Sequence, residues 1–166
     1  MKKLFYTLLV TLLSSTAVAA DSLSLRKLFV EMPDSIIPYL SHNNRLDLLD
    51  FMDSNMKAEV TNEFSGKSVM TSLSDDSISI QLNESSRVEI FLLEVEPVNN
   101  DSHVIALVRS LFIEGEQMET DVEYYSVEWK RVVTEPKLSP SRKERMKKYA
   151  NQSNIINFIK RKVNKD

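Results

Sequence analysis

Two stretches of this chain, Val88 to Val95 and Val104 to Ile113, are apolar almost throughout. They are rich in branched and aromatic side chains, and the turn-forming run Pro97 to Ser102 separates them. Such segments read as neighbouring strands at the centre of a sheet, covered on both faces. Whatever else the chain forms must cover them. On either side the periodicity is two. Ile78, Ile80 and Leu82 alternate with Ser77, Ser79 and Gln81, one buried and one wet face of an antiparallel sheet. Breaks at Ser65-Gly66-Lys67, Asp75-Asp76, Asn83 to Ser86 and Glu114 to Gln117 delimit hairpins. The last long segment alternates Met118, Thr120, Val122, Tyr124 and then Tyr125, Val127, Trp129, and the phase slip at Tyr124-Tyr125 predicts a bulge.

The covering layer is expected upstream. Leu25, Leu28, Phe29 and Met32 recur at helical spacing, so Ser22 to Met32 reads as a short amphipathic helix stopped by Pro33. A further helical turn is expected through Ile36, Ile37 and Leu40, limited by Pro38. A second helix is expected to start at Asn44 as N-cap, with Asp47 favouring the positive helix end, and to run to about Met56. Beyond Pro136, Ser139 as N-cap and Pro140 at the first helical position start a basic helix. Ile155, Ile156, Ile159 and Val163 then form an apolar stripe beside Lys160, Arg161, Lys162 and Lys165.

The first twenty residues read as a secretory signal peptide: Lys2 and Lys3, an apolar run from Leu4 to Leu13, then small residues from Ser14 to Ala20. The run is too short for a permanent membrane span, and cleavage is expected near Ala19 or Ala20. The 166 residues contain no cysteine, so no lipid-accepting thiol follows the signal, and the cleaved product is expected to be soluble and unanchored, in the periplasm or outside. The same lack rules out thiol catalysis and zinc-thiolate sites. Charge is segregated: residues 21–136 hold 9 Lys/Arg against 22 Asp/Glu, and residues 137–166 hold 10 against 2. The expected organisation is therefore a signal peptide (1–20), one α+β domain (21–136) and a basic, helical C-terminal extension (137–166).

Leu28 to Ser35 (LFVEMPDS), Asn44 to Met52 (NRLDLLDFM), Lys57 to Asn62 (KAEVTN) and Tyr125 to Trp129 (YSVEW) together resemble the domain of unknown function 3256 family, small secreted proteins of Bacteroidales. The resemblance spans about Leu25 to Trp129 and leaves the basic tail outside. It implies a periplasmic or secreted Gram-negative protein. It implies no activity, so no catalytic, cofactor-binding or metal-binding residue is carried over. It also brings glycosylation into view, at Asp-Ser-apolar triplets such as Asp34-Ser35-Ile36 and Asp76-Ser77-Ile78, which would need Ser35 and Ser77 exposed in turns.

Few residues suggest chemistry. Asp47, Asp50 and Asp53 are spaced to share one helix arc, either for a hard cation or as a solvated face opposite Leu48, Leu49, Phe51 and Met52. The solvated face accounts for the pattern in full. His42 and His103 are the two candidate general bases, each needing a neighbouring carboxylate that sequence cannot supply. Gly66 and Gly115 stand alone, so no glycine loop cradles a phosphate. Phe112, Tyr124, Tyr125 and Trp129 suit either core packing or the floor of a cleft. The basic tail suits an acidic envelope surface, the acidic body of its own chain, or solvent, with its own chain favoured. Nucleic acid is a poor partner for a body this acidic.

The expected fold is α+β: N-terminal helices packed on a curved antiparallel sheet of about five to seven strands, with a basic helical tail. The leading functional reading is a non-enzymatic periplasmic binding or protein-interaction domain without a cofactor. Behind it stand a small hydrolase or metal-assisted enzyme using His42 or His103, and an envelope component held by its basic tail.

Overall fold

The computed structural model describes residues 23–98, 101–149 and 152–153. Seven strands follow one another in space as in sequence: β1 (Glu59–Thr61), β2 (Lys67–Leu73), β3 (Ser77–Asn83), β4 (Ser86–Val98), β5 (Asp101–Ile113), β6 (Glu116–Tyr125) and β7 (Arg131–Val132). All neighbours pair antiparallel, as hairpin connections require. The outer edge of β6 is shared. β7 pairs with Tyr124 and Tyr125, and an eighth strand, β8 (Gln152–Ser153), pairs with Thr120 and Glu119. The sheet is open and the fold is α+β.

The apolar runs are the central strands β4 and β5, and they are covered on both faces. On one face lie α1 (Leu25–Glu31), α2 (His42–Asp53) and the intervening turns. Leu25, Phe29, Leu40 and Leu48 bury there against Ile78, Ile80, Ile90, Ile105 and Leu107. On the other lies α3 (Pro140–Lys147), with Met146 and Tyr149 against Phe91, Leu93, Ala106 and Val108. The expected stripe of Ile155 to Val163 lies outside the described residues.

Local chemistry explains three departures from the sequence reading. The helix expected to begin at Asn44 is capped three residues earlier. The Ser41 hydroxyl accepts from the Asn44 N–H and the Asn44 side chain accepts from the Ser41 N–H, a capping box with Asn in place of Glu. It ends at Asp53 rather than Met56 because Asn55 turns left-handed (φ 53°). The N–H groups of Asn55 and Met56 then return to the carbonyls of Met52 and Phe51, a Schellman closure. The expected helical turn at Ile36 to Leu40 is instead two separate turns, Ile36 N–H to Pro33 O and Leu40 N–H to Ile37 O. Pro38, having no N–H, cannot continue a helix there.

The expected bulge at Tyr124-Tyr125 is absent: these residues pair regularly with Ala106 and Ile105. The register shift of this hairpin falls where Leu111 faces Glu119 and Phe112 faces Gln117, leaving Met118 as the extra residue. The apolar phase changes at Tyr124 because β6 has a partner layer on each side. Val122 and Tyr124 pack toward α3, while Tyr125 and Trp129 pack beneath α1, where the indole N–H donates to Leu28 O at 2.9 Å. At the β5–β6 turn, Glu114 (φ 52°) and Gly115 (φ 80°) carry the two consecutive positive φ angles of a tight hairpin, which glycine accepts without strain.

Candidate functional site

Residues directly opposite each other in an antiparallel sheet share a face, so the register orders the helix-covered face into rows. Leu92, Ile105 and Tyr125 form one row, and Ile78, Ile90, Leu107 and Glu123 the next. Ile80, Val88, Arg109 and Asp121 follow, then Ser86, Leu111 and Glu119. Polarity rises along this series. The apolar rows and Ile80 lie beneath the helices, whereas the rest of the third row and the whole of the last floor a groove of about 610 Å³ walled by Ile36, Pro38 and Tyr39.

Arg109 joins wall to floor. One of its guanidinium nitrogens donates to Ile36 O at 3.0 Å and another to the Glu123 carboxylate. Glu123 also accepts from the Tyr125 hydroxyl at 3.0 Å and faces Arg131 at 3.0 Å. Burial pushes the Glu123 carboxyl up, but the hydrogen bonds from Arg109 and Tyr125 and the charge of Arg131 outweigh it, so its pKa is lowered. Burial likewise works against the Arg109 charge, and bonding to Glu123 more than offsets it. Tyr125 moves the other way, pushed up mainly by burial. The cluster is a brace in which one carboxylate is shared by two guanidinium groups and a phenol.

The remaining lining is of two kinds. Leu82, Val88 and Leu111 provide apolar floor, Leu111 being among the exposed large hydrophobic residues. Tyr39 packs against Phe64 in a tilted pair with ring centroids 4.7 Å apart, and its hydroxyl accepts from Asn83 at 3.0 Å. The Ser86 hydroxyl is buried in the lining with no hydrogen-bond partner among the described residues. Arg87 is turned away, over the Phe112 ring and onto Gln81. Glu119 and Asp121 stay exposed at the rim, so the free charge of the groove is negative.

The residues singled out from sequence lie elsewhere. Asp47 and Asp50 are exposed on α2, and Asp53 is bound by Arg26 at 2.8 Å. His42 is exposed at the start of α2, its Nδ1 3.2 Å from Val30 O. His103 is half-buried on β5, its Nδ1 2.9 Å from the Ser102 hydroxyl. Neither imidazole is hydrogen-bonded to a described carboxylate, and neither lines the groove. Tyr125 and Trp129 belong to the core beneath α1. Ser35 is exposed in a turn, whereas Ser77 is half-buried and engages the Ser74 hydroxyl at 2.7 Å.

Two arginines of consequence escaped the sequence reading. Arg45 is fully buried and donates to Met32 O (2.6 Å), Leu40 O (2.7 Å), Val30 O (3.2 Å) and Asp34 (2.7 Å), holding the loop that becomes the groove wall. A cation in the first turn of a helix opposes the helix dipole, which was its available signal. For Arg109 the signal was a lone charge inside a strand otherwise covered on both faces.

A family model described as protein of unknown function (DUF3256) matches residues 17–166. The chain belongs to the DUF3256 family. The match runs through the basic tail, beyond the span of the sequence resemblance. No curated protein matches the chain. Among solved structures, a domain of an uncharacterized protein from Porphyromonas gingivalis W83 is similar, with TM-score 0.50 and 22% identity over 66% of this chain. The chain spans 54% of that structure's length, and the likeness supports the fold alone.

Proposed function

We propose that this DUF3256 protein is an exported, non-enzymatic binding or protein-interaction domain whose working surface is the groove between the Ile36–Tyr39 wall and the outer rows of the sheet. Residues 1–20 act as its export signal, residues 21–136 form the binding body and residues 137–166 its basic extension, in a Gram-negative periplasm or beyond. The observation that carries the reading is the gradient across the helix-covered face. The helices bury the apolar rows and leave uncovered a row pairing Leu111 with Ser86 and Glu119. An apolar floor with a few converging polar groups is the usual make-up of a binding cleft. With Arg109 paired to Glu123 and with Glu119 and Asp121 unpaired at the rim among the described residues, the groove suits an apolar segment carrying cationic groups.

A photo-reactive side chain at Leu111, in protein produced in its native host, is expected to yield adducts of defined mass. Leu82→Arg, which fills the floor, is expected to abolish them. The same probe at Lys67, on β2 away from the groove, is the control, and identical adducts from both positions would sink the reading. N-terminal sequencing of the exported chain is expected to begin at Ala20 or Asp21.

A further inference from the structure

We propose that the groove has an occupant within its own chain: the C-terminal segment, residues 154–166. This rests on reading the groove as the binding surface, and it assigns that surface a competitor that any external ligand must displace.

The first argument is position. β8 runs antiparallel to β6, with Gln152 opposite Thr120 and Ser153 opposite Glu119. Glu119 belongs to the groove lining, so Ser153 stands on the groove's lip with thirteen residues (166 − 153) still to follow. Thirteen residues reach roughly 20 Å even as a helix and about twice that when extended, enough to cross the groove.

The second is chemical match. The segment offers Ile155, Ile156, Phe158, Ile159 and Val163 together with Lys160, Arg161, Lys162 and Lys165, against a single acid, Asp166. The groove offers an apolar floor at Leu82, Val88 and Leu111 and two rim carboxylates, Glu119 and Asp121, with no ion-pair partner among the described residues. The preceding part of the tail already behaves this way. Arg142 and Arg145 bind Asp76 of the body at 3.1 and 2.6 Å. Intramolecular tethering would give the segment a high effective concentration at the groove, so it would lower the apparent affinity of an external ligand without touching the ligand's own contacts.

Because the full chain has no cysteine, paired cysteines report the contact directly. In the full-length mature protein, Leu111→Cys with Ile159→Cys is expected to form an intramolecular disulfide about tenfold faster than Lys147→Cys with Ile159→Cys, whose first partner lies on α3 on the opposite face. Adding Glu119→Lys and Asp121→Lys is expected to slow the Leu111 pair several-fold toward the control rate. Equal rates for the two pairs, or a faster Lys147 pair, would overturn the proposal. Disulfide-linked dimers would overturn it in favour of a second copy as occupant. Photo-adducts at Leu111 that persist while the disulfide fails would leave the groove as a binding surface and remove only its self-occupancy.

Discussion

The two faces of the sheet are covered by different physics. On the face of α1 and α2, a continuous apolar core runs from Leu25 and Phe29 through Leu40 and Leu48 to Ile90 and Leu107, and its one buried cation, Arg45, has four oxygen acceptors. On the face of α3, only Met146 and Tyr149 of the seven described core residues come from the covering segment. The rest of that attachment is polar: Arg142 and Arg145 on Asp76, the Tyr149 hydroxyl donating to Glu89 at 2.6 Å, and Arg145 over the Phe91 ring. Burial of apolar surface is neither screened by salt nor titrated by protons, whereas exposed ion pairs are subject to both. The first layer is therefore part of the folding unit, and the second is held by contacts that conditions can loosen.

The largest test of this contrast is Phe29→Ala. Loss of a fully buried ring should cost about 3–5 kcal/mol of global stability, read as a shifted urea midpoint. Somewhat smaller is Arg45→Met, which leaves the carbonyls of Met32 and Leu40 without their donor and should cost about 2–4 kcal/mol in the same single transition. A second, earlier transition in either variant would mean that the helical layer detaches by itself, and the contrast would fail. Met146→Ala should move the global midpoint by less than about 1 kcal/mol, because α3 can release without exposing the first core. Its amide protection against hydrogen exchange should nevertheless fall across Ser141 to Tyr149. Unfolding of the whole sheet would show that this face is equally structural.

The smallest effect belongs to Asp76. Hydrogen bonding from Arg145, aided by its charge and by Ser74 and Arg142, holds the Asp76 carboxyl below its usual range against a burial effect pushing it up. A lowered folded-state pKa means that the clamp contributes fully above the unfolded value, about 4, and is lost as pH falls from there through the folded value. Asp76 is a third exposed, so the contribution is below about 1 kcal/mol. Exchange protection of α3 should drop on acidification below about pH 4 and in high salt, and Asp76→Asn should remove both dependences. Unchanged dependences in that variant would place the clamp elsewhere. The Tyr149 hydroxyl, pushed well above the phenol range by burial and by Glu89, stays protonated throughout and adds no step of its own.

Much of the architecture is legible in the sequence alone. Unbroken apolarity in Val88 to Val95 and Val104 to Ile113 marked doubly covered strands, and turn residues marked the hairpins from β1 to β6, because period and turn chemistry are local properties, whereas the β6–β7 turn at Ser126 to Lys130 read as strand because Val127 and Trp129 keep the alternation. What misled was information of longer range. Tyr124 and Tyr125 looked like a bulge because one strand can have two apolar faces when a layer covers each. The real irregularity, at Met118, left no mark in the pattern. The groove was illegible for the same reason. Its lining comes from the Ile36–Tyr39 wall and four strands, and only Arg109, a lone charge in an apolar run, stands out among them by itself. His42 and His103, the residues that drew notice by type, lie outside it.

The sequence by itself determined the membership in DUF3256, the α+β class with an antiparallel sheet and the segregation of an acidic body from a basic tail. These follow from composition and periodicity, which a chain carries wherever it folds. Only the tertiary structure decided that Arg45 and Arg109 brace a wall against the sheet, that the row of Ser86, Leu111 and Glu119 stays uncovered, and that Ser153 stands beside Glu119 at the groove's lip. Those outcomes depend on which of many compatible surfaces meet, and that choice is made by packing between segments far apart in the chain.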